Sequence, residues 1–546
     1  MKKLIVFTGI VLCFSQVFAG GLLTNGNQSA QYIRMLSRNA STSVDAVYFN
    51  PAGLTKMDNG FYVSIQSQSL FQSKTVESGY PLLNSSIYEG NLVVPVFPTA
   101  FAVFKKDRFA LSLGFGPNSG GGSVEFEKGL PSFEKDISTL VPKLAGLTKL
   151  GKSVSGYNVD INFKGESVFW GIQGGASFKV NDKFSVYGGL RYIPATTKYN
   201  GYLKNVSVNV NGQMKNAATF LTGEVAPLIQ GAAAQASGAA TSVQPLITAG
   251  AGSFNLAQVQ GAGYINSATR TQLEQGLIGL GVTQTAINQM NISQIQAAFN
   301  TGAASLNGQA TGMIATAGAL NDKLVDVEQT GTGYTPILGL NISPTEGLNI
   351  GVKYEFKTKL TLTNATVVDG TGLFPDKKET DSDLPSLFSI GADYKLTQKF
   401  DLSLSFNSYH DKGVDWGTNV YKEPRTIASN LWEVSIGGQY QWTEKIAVSM
   451  GYLHTEVGIS KQFLSDFSYY NSGDTFGGGF EWKPTGRFTV DAGVIYTAYA
   501  DETKTFGVPA DLINPLTNST YNPYSETYKK SNLGFAIGLG YRFGGL

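Results

Sequence analysis

Three groups of residues in this chain have types and spacings from which chemistry could be built. Gly146, Gly151, Lys152 and Ser153 fit the G-x-x-x-x-G-K-S pattern of a phosphate-binding loop. That loop needs a buried strand before it and a helix after it, so that backbone amides converge on a phosphate. Here the match falls in a long connection between alternating segments, and it is taken as chance. His410 and His454 stand far apart with no further ligand at metal spacing, and no Gly-x-Ser-x-Gly elbow occurs. The pattern predicts no enzyme, no metal and no cofactor. The third group is cationic. Arg191, Lys353 and Lys357 each fall on the polar side of a segment whose other side is apolar. A cation held there could bind a ligand's carboxylate, or it could close an ion pair with Glu355, Asp491 or Asp45. Both outcomes stay open on sequence.

The segments that must position these residues read as strands. From Leu533 to Phe543, the residues Leu533, Phe535, Ile537, Leu539, Tyr541 and Phe543 alternate with Gly534, Ala536, Gly538, Gly540 and Arg542. A period of two puts each set on one face of a strand. The alternation returns at 168–178, 348–357 and 488–496. One face suits lipid and the other a packed or wet lumen. The 65 glycines, 26 tyrosines and 33 phenylalanines fit the same plan, small residues inside and aromatics at the lipid boundary. After the first twenty residues no run is apolar and long enough for a helical span.

Short polar turns near 105–107, 181–183, 343–347, 397–399, 443–445 and 484–487 alternate with long connections near 72–90, 127–163, 206–323, 367–384, 410–429, 461–469 and 501–530. Six turns and seven loops join fourteen strands. The expected fold is therefore all-β: a 14-stranded antiparallel outer-membrane β-barrel, placed at 60–546. Trp442 and Trp482 sit beside short turns, as an interfacial belt requires.

Residues 1–19 read as a signal peptide: Lys2 and Lys3, an apolar run to Phe14, and the small-residue site Val17-Phe18-Ala19. Cys13, the one cysteine, follows Leu12 inside that run, which does not suit a lipid-anchor site, and the mature chain is left without thiol or disulfide chemistry. Without Lys2 and Lys3, 39 basic side chains face 40 acidic ones, a balance that points to no nucleic-acid partner. Residues 20–59 are mostly polar and are expected to form a tail or a plug inside the barrel. Residues 206–323, rich in Gly, Ala, Asn and Gln, leave two options: a disordered stretch, or a partly helical extracellular cap, since Ile287, Ile295 and Phe299 hint at helical spacing.

The segment from Asp45 to Leu54 contains Asn50-Pro51-Ala52. It resembles the motif that ends the N-terminal plug of the FadL-type outer-membrane transporters of long-chain fatty acids and hydrocarbons. Asn-Pro by itself marks only a turn. Its placement, after a plug-length segment and before the first of fourteen strands, extends the resemblance over nearly the whole chain. The resemblance implies passive uptake of hydrophobic compounds, long-chain fatty acids most of all. Ligand would be captured among the outer loops, Asn50, Pro51 and Ala52 would anchor the plug, and exit would run sideways into outer-membrane lipid through a kinked third strand.

That strand is 109–126 here, interrupted by Gly116, Pro117, Gly120, Gly121 and Gly122. Proline removes a ladder donor and glycine permits a bend. Arg191, Lys353 and Lys357 are the candidate ligand contacts. The last strand also resembles the signal by which the barrel assembly machinery recognises its clients, although Gly544-Gly545-Leu546 follow the usual terminal aromatic. Alternatives are another apolar ligand (an aromatic hydrocarbon or a porphyrin), a general porin, or a surface adhesin or receptor built on 206–323. Apolar lumen surfaces carry no readable code for their ligand.

Overall fold

The computed structural model describes residues 29–509, 512–514 and 517–544. The predicted signal peptide and the first residues of the segment expected to form a plug lie outside them. The alternating segments become the wall of a closed barrel. Its strands are β1 (Gly60–Ser78), β2 (Ile87–Lys106), β3 (Phe109–Phe126), β4 (Val154–Asn181), β5 (Phe184–Val210) and β6 (Lys323–Thr345). They continue as β7 (Leu348–Glu355 with Thr361–Asp369), β8 (Glu379–Asp381 with Leu387–Lys395), β9 (Phe400–Tyr409) and β10 (Leu431–Gln441). The last four are β11 (Ile446–Glu456), β12 (Gly473–Thr485), β13 (Phe488–Tyr499 with Glu502–Phe506) and β14 (Tyr524–Phe543). Neighbours in sequence pair antiparallel, and β14 returns to β1 from Phe61↔Phe543 to Ser78↔Glu526. Closure leaves no edge, which is what allows a sheet to stand in lipid at all.

The pleat sorts the side chains as the alternation predicts. Leu111, Leu113, Met450 and Ile537 are more than half exposed on the outer face, whereas Ser64, Gln66, Gln173, Ser177 and Asn341 are buried on the inner one. Strands run further than the alternation shows. β1 reaches Ser78, β2 starts at Ile87 and β4 starts at Val154, inside stretches expected to be loops. Beyond the bilayer the outer face meets water, so the apolar half of the pattern fades while the ladder continues.

The connection between β5 and β6 is ordered and helical, so disorder is not what the structure shows there. Helices Ala226–Ser242, Ser267–Gly279 and Ile292–Ala319 dominate it. Ile287, Ile295 and Phe299 are all buried in its core, together with Ala236, Ala240 and Ala303. Alanine explains why composition misleads. It is the best helix former, yet an Ala- and Gly-rich stretch looks like low complexity. The base of the cap packs on the loop after β3, where Ile137, Leu140 and Leu144 meet Phe220, Leu221 and Met313.

Residues 30–56 fill the lumen. Helix Ala30–Met35 is capped by Ser29, whose Oγ accepts from Tyr32 N at 2.9 Å, and it stops at Leu36, which takes a left-handed φ of 60°. Helix Ala46–Phe49 and the turn Pro51–Lys56 complete the plug. The wall makes room with glycine. Gly437, Gly451 and Gly477 lie directly opposite one another on β10, β11 and β12, and a Cβ on any of them would run into the carbonyl oxygens of Met35 or Ile33.

Candidate functional site

The site has three parts: the plug's anchorage, a break in the wall, and two cavities above them. The anchorage uses main-chain oxygens. Asn50 Nδ2 donates to Ser41 O at 3.0 Å and to Asn341 Oδ1 on β6 at 2.8 Å. Pro51 O accepts from Ser177 Oγ on β4 at 2.7 Å, and Ala52 O accepts from Ser185 Oγ on β5 at 2.8 Å. The Asn-Pro-Ala segment is thus held by three consecutive strands. Further along the plug, Arg38 and Asp45 form a two-pronged pair at 2.7 Å, and Arg34 reaches Asp491 on β13 at 2.9 Å. Buried charges survive only when paired in this way.

Two of the three cations singled out by sequence come together. Arg191 on β5 and Lys353 on β7 converge on Glu355, each at 2.6 Å. Arg191 also donates to Gln173 Oε1 at 2.7 Å and to Asn118 Oδ1 at 2.9 Å. The plug covers the group: the Tyr48 ring lies 4.5 Å from the guanidinium, and Tyr48 O accepts from Lys353 Nζ at 2.8 Å. So the ion-pair alternative is what the structure contains, with Tyr48 sealed over it. Lys357 is elsewhere, half-exposed, paired with Asp383 at 3.0 Å and bonded to Gly413 O.

Asn118 leads to the break in the wall. β2 and β3 pair from Gly90↔Phe126 to Leu92↔Val124 and again from Ala100↔Phe115 to Lys106↔Phe109, with no ladder between those stretches. β3 keeps its pairing with β4, through bulges at Pro117/Ser119 and Gly120/Gly122. Gly120, Gly121 and Gly122 have φ of +70°, +138° and +137°, angles that a side chain disfavours. The bulges and the positive-φ glycines thus fall within β3, and its ladder is interrupted on the β2 side.

Sequence reasoning missed the partner strand. Pro95 and Pro98 lie in the part of β2 that has no partner on β3 and lack the N–H that a ladder needs. Two prolines in one strand were the available signal. Apolar side chains pack at the gap: Phe97 packs with Leu70 and Val94, and Trp170 lies 5.8 Å from Phe97 and stacks on Phe115 at 5.1 Å. A Cβ on Gly121 would come within 2.7 Å of the Phe97 ring.

Above the plug is a lumen cavity of about 150 Å³, with Tyr32 and Leu36 on its plug side and Glu433, Tyr499, Lys530 and Asn532 among its wall residues. Further out, between the loops, is a narrow cleft of about 60 Å³ lined almost wholly by apolar groups, including Phe133, Phe163, Leu203, Leu373, Phe374 and Phe467. Its rings pack closely, Phe163 lying 5.0 Å from Phe467 and 5.4 Å from Phe133.

No family model and no curated protein matches the chain by sequence. Among solved structures, the crystal structure of a Pseudomonas aeruginosa FadL homologue is similar with a TM-score of 0.56, at 13% identity, over 96% of this chain and 100% of that one. The toluene transporters TodX of P. putida and TbuX of Ralstonia pickettii each give a TM-score of 0.47, at 12% and 13% identity, over 92% and 95% of this chain and 95% and 99% of theirs. At such identity it is the fold that the FadL homologue shares with this chain: fourteen closed antiparallel strands around an N-terminal plug.

Proposed function

We propose that the chain carries hydrophobic molecules, long-chain fatty acids foremost, passively across the outer membrane and releases them sideways into its lipid. The observation that supports this best is the missing ladder between β2 and β3, where apolar side chains pack. An unpaired stretch of wall is costly in hydrocarbon, so its presence asks for a use. The path runs from the outer aromatic cleft to the lumen cavity and then, once the plug shifts, to the gap.

Sideways exit suits an apolar ligand. Each methylene kept out of water is worth roughly 0.8 kcal/mol, and a watery pore would forfeit that at every step. A general porin is disfavoured because the buried plug fills the lumen. Arg191 and Lys353 enter this scheme as the latch on Tyr48; they meet ligand only after Tyr48 leaves. The FadL homologue lends the fold to this scheme, and a labelled aromatic hydrocarbon is the second substrate to try.

The test is uptake of a labelled long-chain fatty acid by cells lacking their own transporter, at equal surface amounts of each variant. Phe97→Cys puts a reactive thiol in the gap. Gly188→Cys puts one in open space on the outer face of β5. Uptake by the parent, blocked when the Phe97→Cys variant is alkylated and untouched when the Gly188→Cys variant is, supports the scheme. Uptake that survives alkylation of both variants rejects the gap as the exit. Absence of uptake by the parent rejects fatty acids.

A further inference from the structure

The short turns of the barrel share a pattern that the proposed transport does not use. Asp107-Arg108-Phe109, Asp182-Lys183-Phe184, Gln398-Lys399-Phe400 and Gly486-Arg487-Phe488 each place a cation directly before a phenylalanine. That phenylalanine is the first residue of β3, β5, β9 and β13 in turn. Glu444-Lys445-Ile446 keeps the cation at the start of β11 and has isoleucine in place of the ring. The turn before β7, with Glu346, departs from the pattern. In an outer-membrane barrel the short turns lie at the periplasmic end.

The pleat fixes what each member of the pair meets. Phe109 stands in step with Leu111, Phe184 with Leu190, Phe400 with Leu404 and Phe488 with Val494, and all four of those partners are exposed on the outer face. The rings therefore belong to the lipid boundary, together with exposed Trp442, Trp482 and Tyr541. The cations are exposed in the turns just beyond that boundary. Among the described residues, the ion pairs of this end join Lys179 to Asp182, Lys483 to Glu481 and Arg542 to Asp58. Arg108, Lys183, Lys399, Lys445 and Arg487 take part in none. At the outer ends of strands, by contrast, Lys164, Lys198 and Lys529 are answered by Glu125, Glu328 and Glu77.

We propose that these turns form a collar that binds the anionic headgroups of phospholipids in the periplasmic leaflet. Each ring fixes its strand end at the acyl boundary, and the cation beside it takes a lipid phosphate. Long basic side chains keep their stems along apolar surface while their heads reach the headgroup level. There they gain charge-assisted hydrogen bonds that no carboxylate of the barrel supplies. The free cations are spread round the ring, from the β2–β3 turn to the β12–β13 turn. That spread selects lipid over an acidic protein partner, because lipid meets a barrel on every side and a protein docks on one patch. The collar is independent of what the barrel carries and goes beyond the uptake proposed above.

The experiment is quenching of tryptophan fluorescence by brominated lipids in vesicles that hold the full-length barrel. Trp442 and Trp482 report this rim: Trp482 pairs with Ile446, next to Lys445, and Trp442 opens the same turn. Their signal is the difference between each protein and its Trp442→Phe/Trp482→Phe counterpart. Brominated phosphatidylglycerol and brominated phosphatidylcholine, each diluted in plain phosphatidylcholine, give the relative affinity of the two headgroups. Heat-modifiable gel migration reports that each variant is folded, and the substituted side chains are all exposed. Phosphatidylglycerol should be preferred about 5-fold, the effect of roughly one cation near an anionic surface, and less so at high salt. Lys445→Gln/Arg487→Gln should abolish the preference, and Lys445→Arg/Arg487→Lys should keep it. Arg108→Gln/Lys183→Gln, on the far side of the ring, should match the parent. Equal affinity for the two headgroups in the parent overturns the collar and points to an acidic protein as the occupant of these turns. A preference that survives Lys445→Gln/Arg487→Gln overturns it as well. So does an equal loss in both glutamine variants, which would trace the preference to net charge rather than to the local turn.

Discussion

Arg191 ties the plug to the wall on both sides of the β3 bulge. It touches the wall gap through Asn118, the wall through Gln173 and Glu355, and the plug through the Tyr48 ring. Arg191→Gln leaves Glu355 buried with Lys353 alone and uncovers one face of Tyr48. Breaking a buried pair by removing one partner costs about 3 kcal/mol. The denaturant midpoint of the folded barrel should fall accordingly, and single-channel recordings should show openings that the parent lacks. A variant with unchanged stability and a silent channel would rule out the latch.

A second residue acts outside the membrane. Asp411 sits buried in the loop after β9, where its Oδ2 accepts from Leu431 N at 3.1 Å. Burial pushes its carboxyl up to about 7, against roughly 3.9 in an unfolded chain. The folded loop therefore holds a proton that the unfolded one releases, and loop stability should fall as pH rises from about 4 to 7. Hydrogen exchange over 411–431 should quicken across that window, and Asp411→Asn should flatten the dependence.

At the scale of elements, the wall was legible because a membrane strand must alternate, and six short turns fixed the count. Arg191 and Lys353 were legible for the same reason, as inward cations within reach of Glu355. What alternation could not show is where the plug lies on the wall, since docking joins segments far apart in sequence. Gly437, Gly451 and Gly477 sit in plain view as inward glycines, but only the register makes them a row. The prolines of β2 draw less notice than β3, whose run of glycines is the more conspicuous break.

The glycine row sets a direct test. Gly451→Val keeps a good strand former in the wall and puts a side chain where Met35 O now rests. The barrel should assemble and run as a folded species, with the plug displaced. Steady ion conductance in planar bilayers is the expected outcome. A closed channel would mean that the helix Ala30–Met35 can shift without opening the lumen.

For the whole molecule, the question is what the helical cap does for a barrel that closes without it. The cap stands on the loop after β3. Removing Phe220, Leu221 and Met313 would strip the cover from Ile137, Leu140 and Leu144. That loop also carries Phe133, which lines the outer aromatic cleft. Lumen, plug and gap lie below and share no residue with the cap's own core. Replacing 217–320 with a short Gly-Ser linker should therefore spare the proposed exit route and loosen the apolar cleft proposed for capture. Uptake at saturating ligand should stay near the parent's rate, while the concentration giving half-maximal uptake rises several-fold. Limited proteolysis should find new cuts within 130–153. If the rate at saturation collapses while the barrel stays folded, the cap takes part in the transport path itself. If both the rate and the half-maximal concentration are unchanged, the cap does not support capture, and a surface role for 217–320 becomes the better account of that segment.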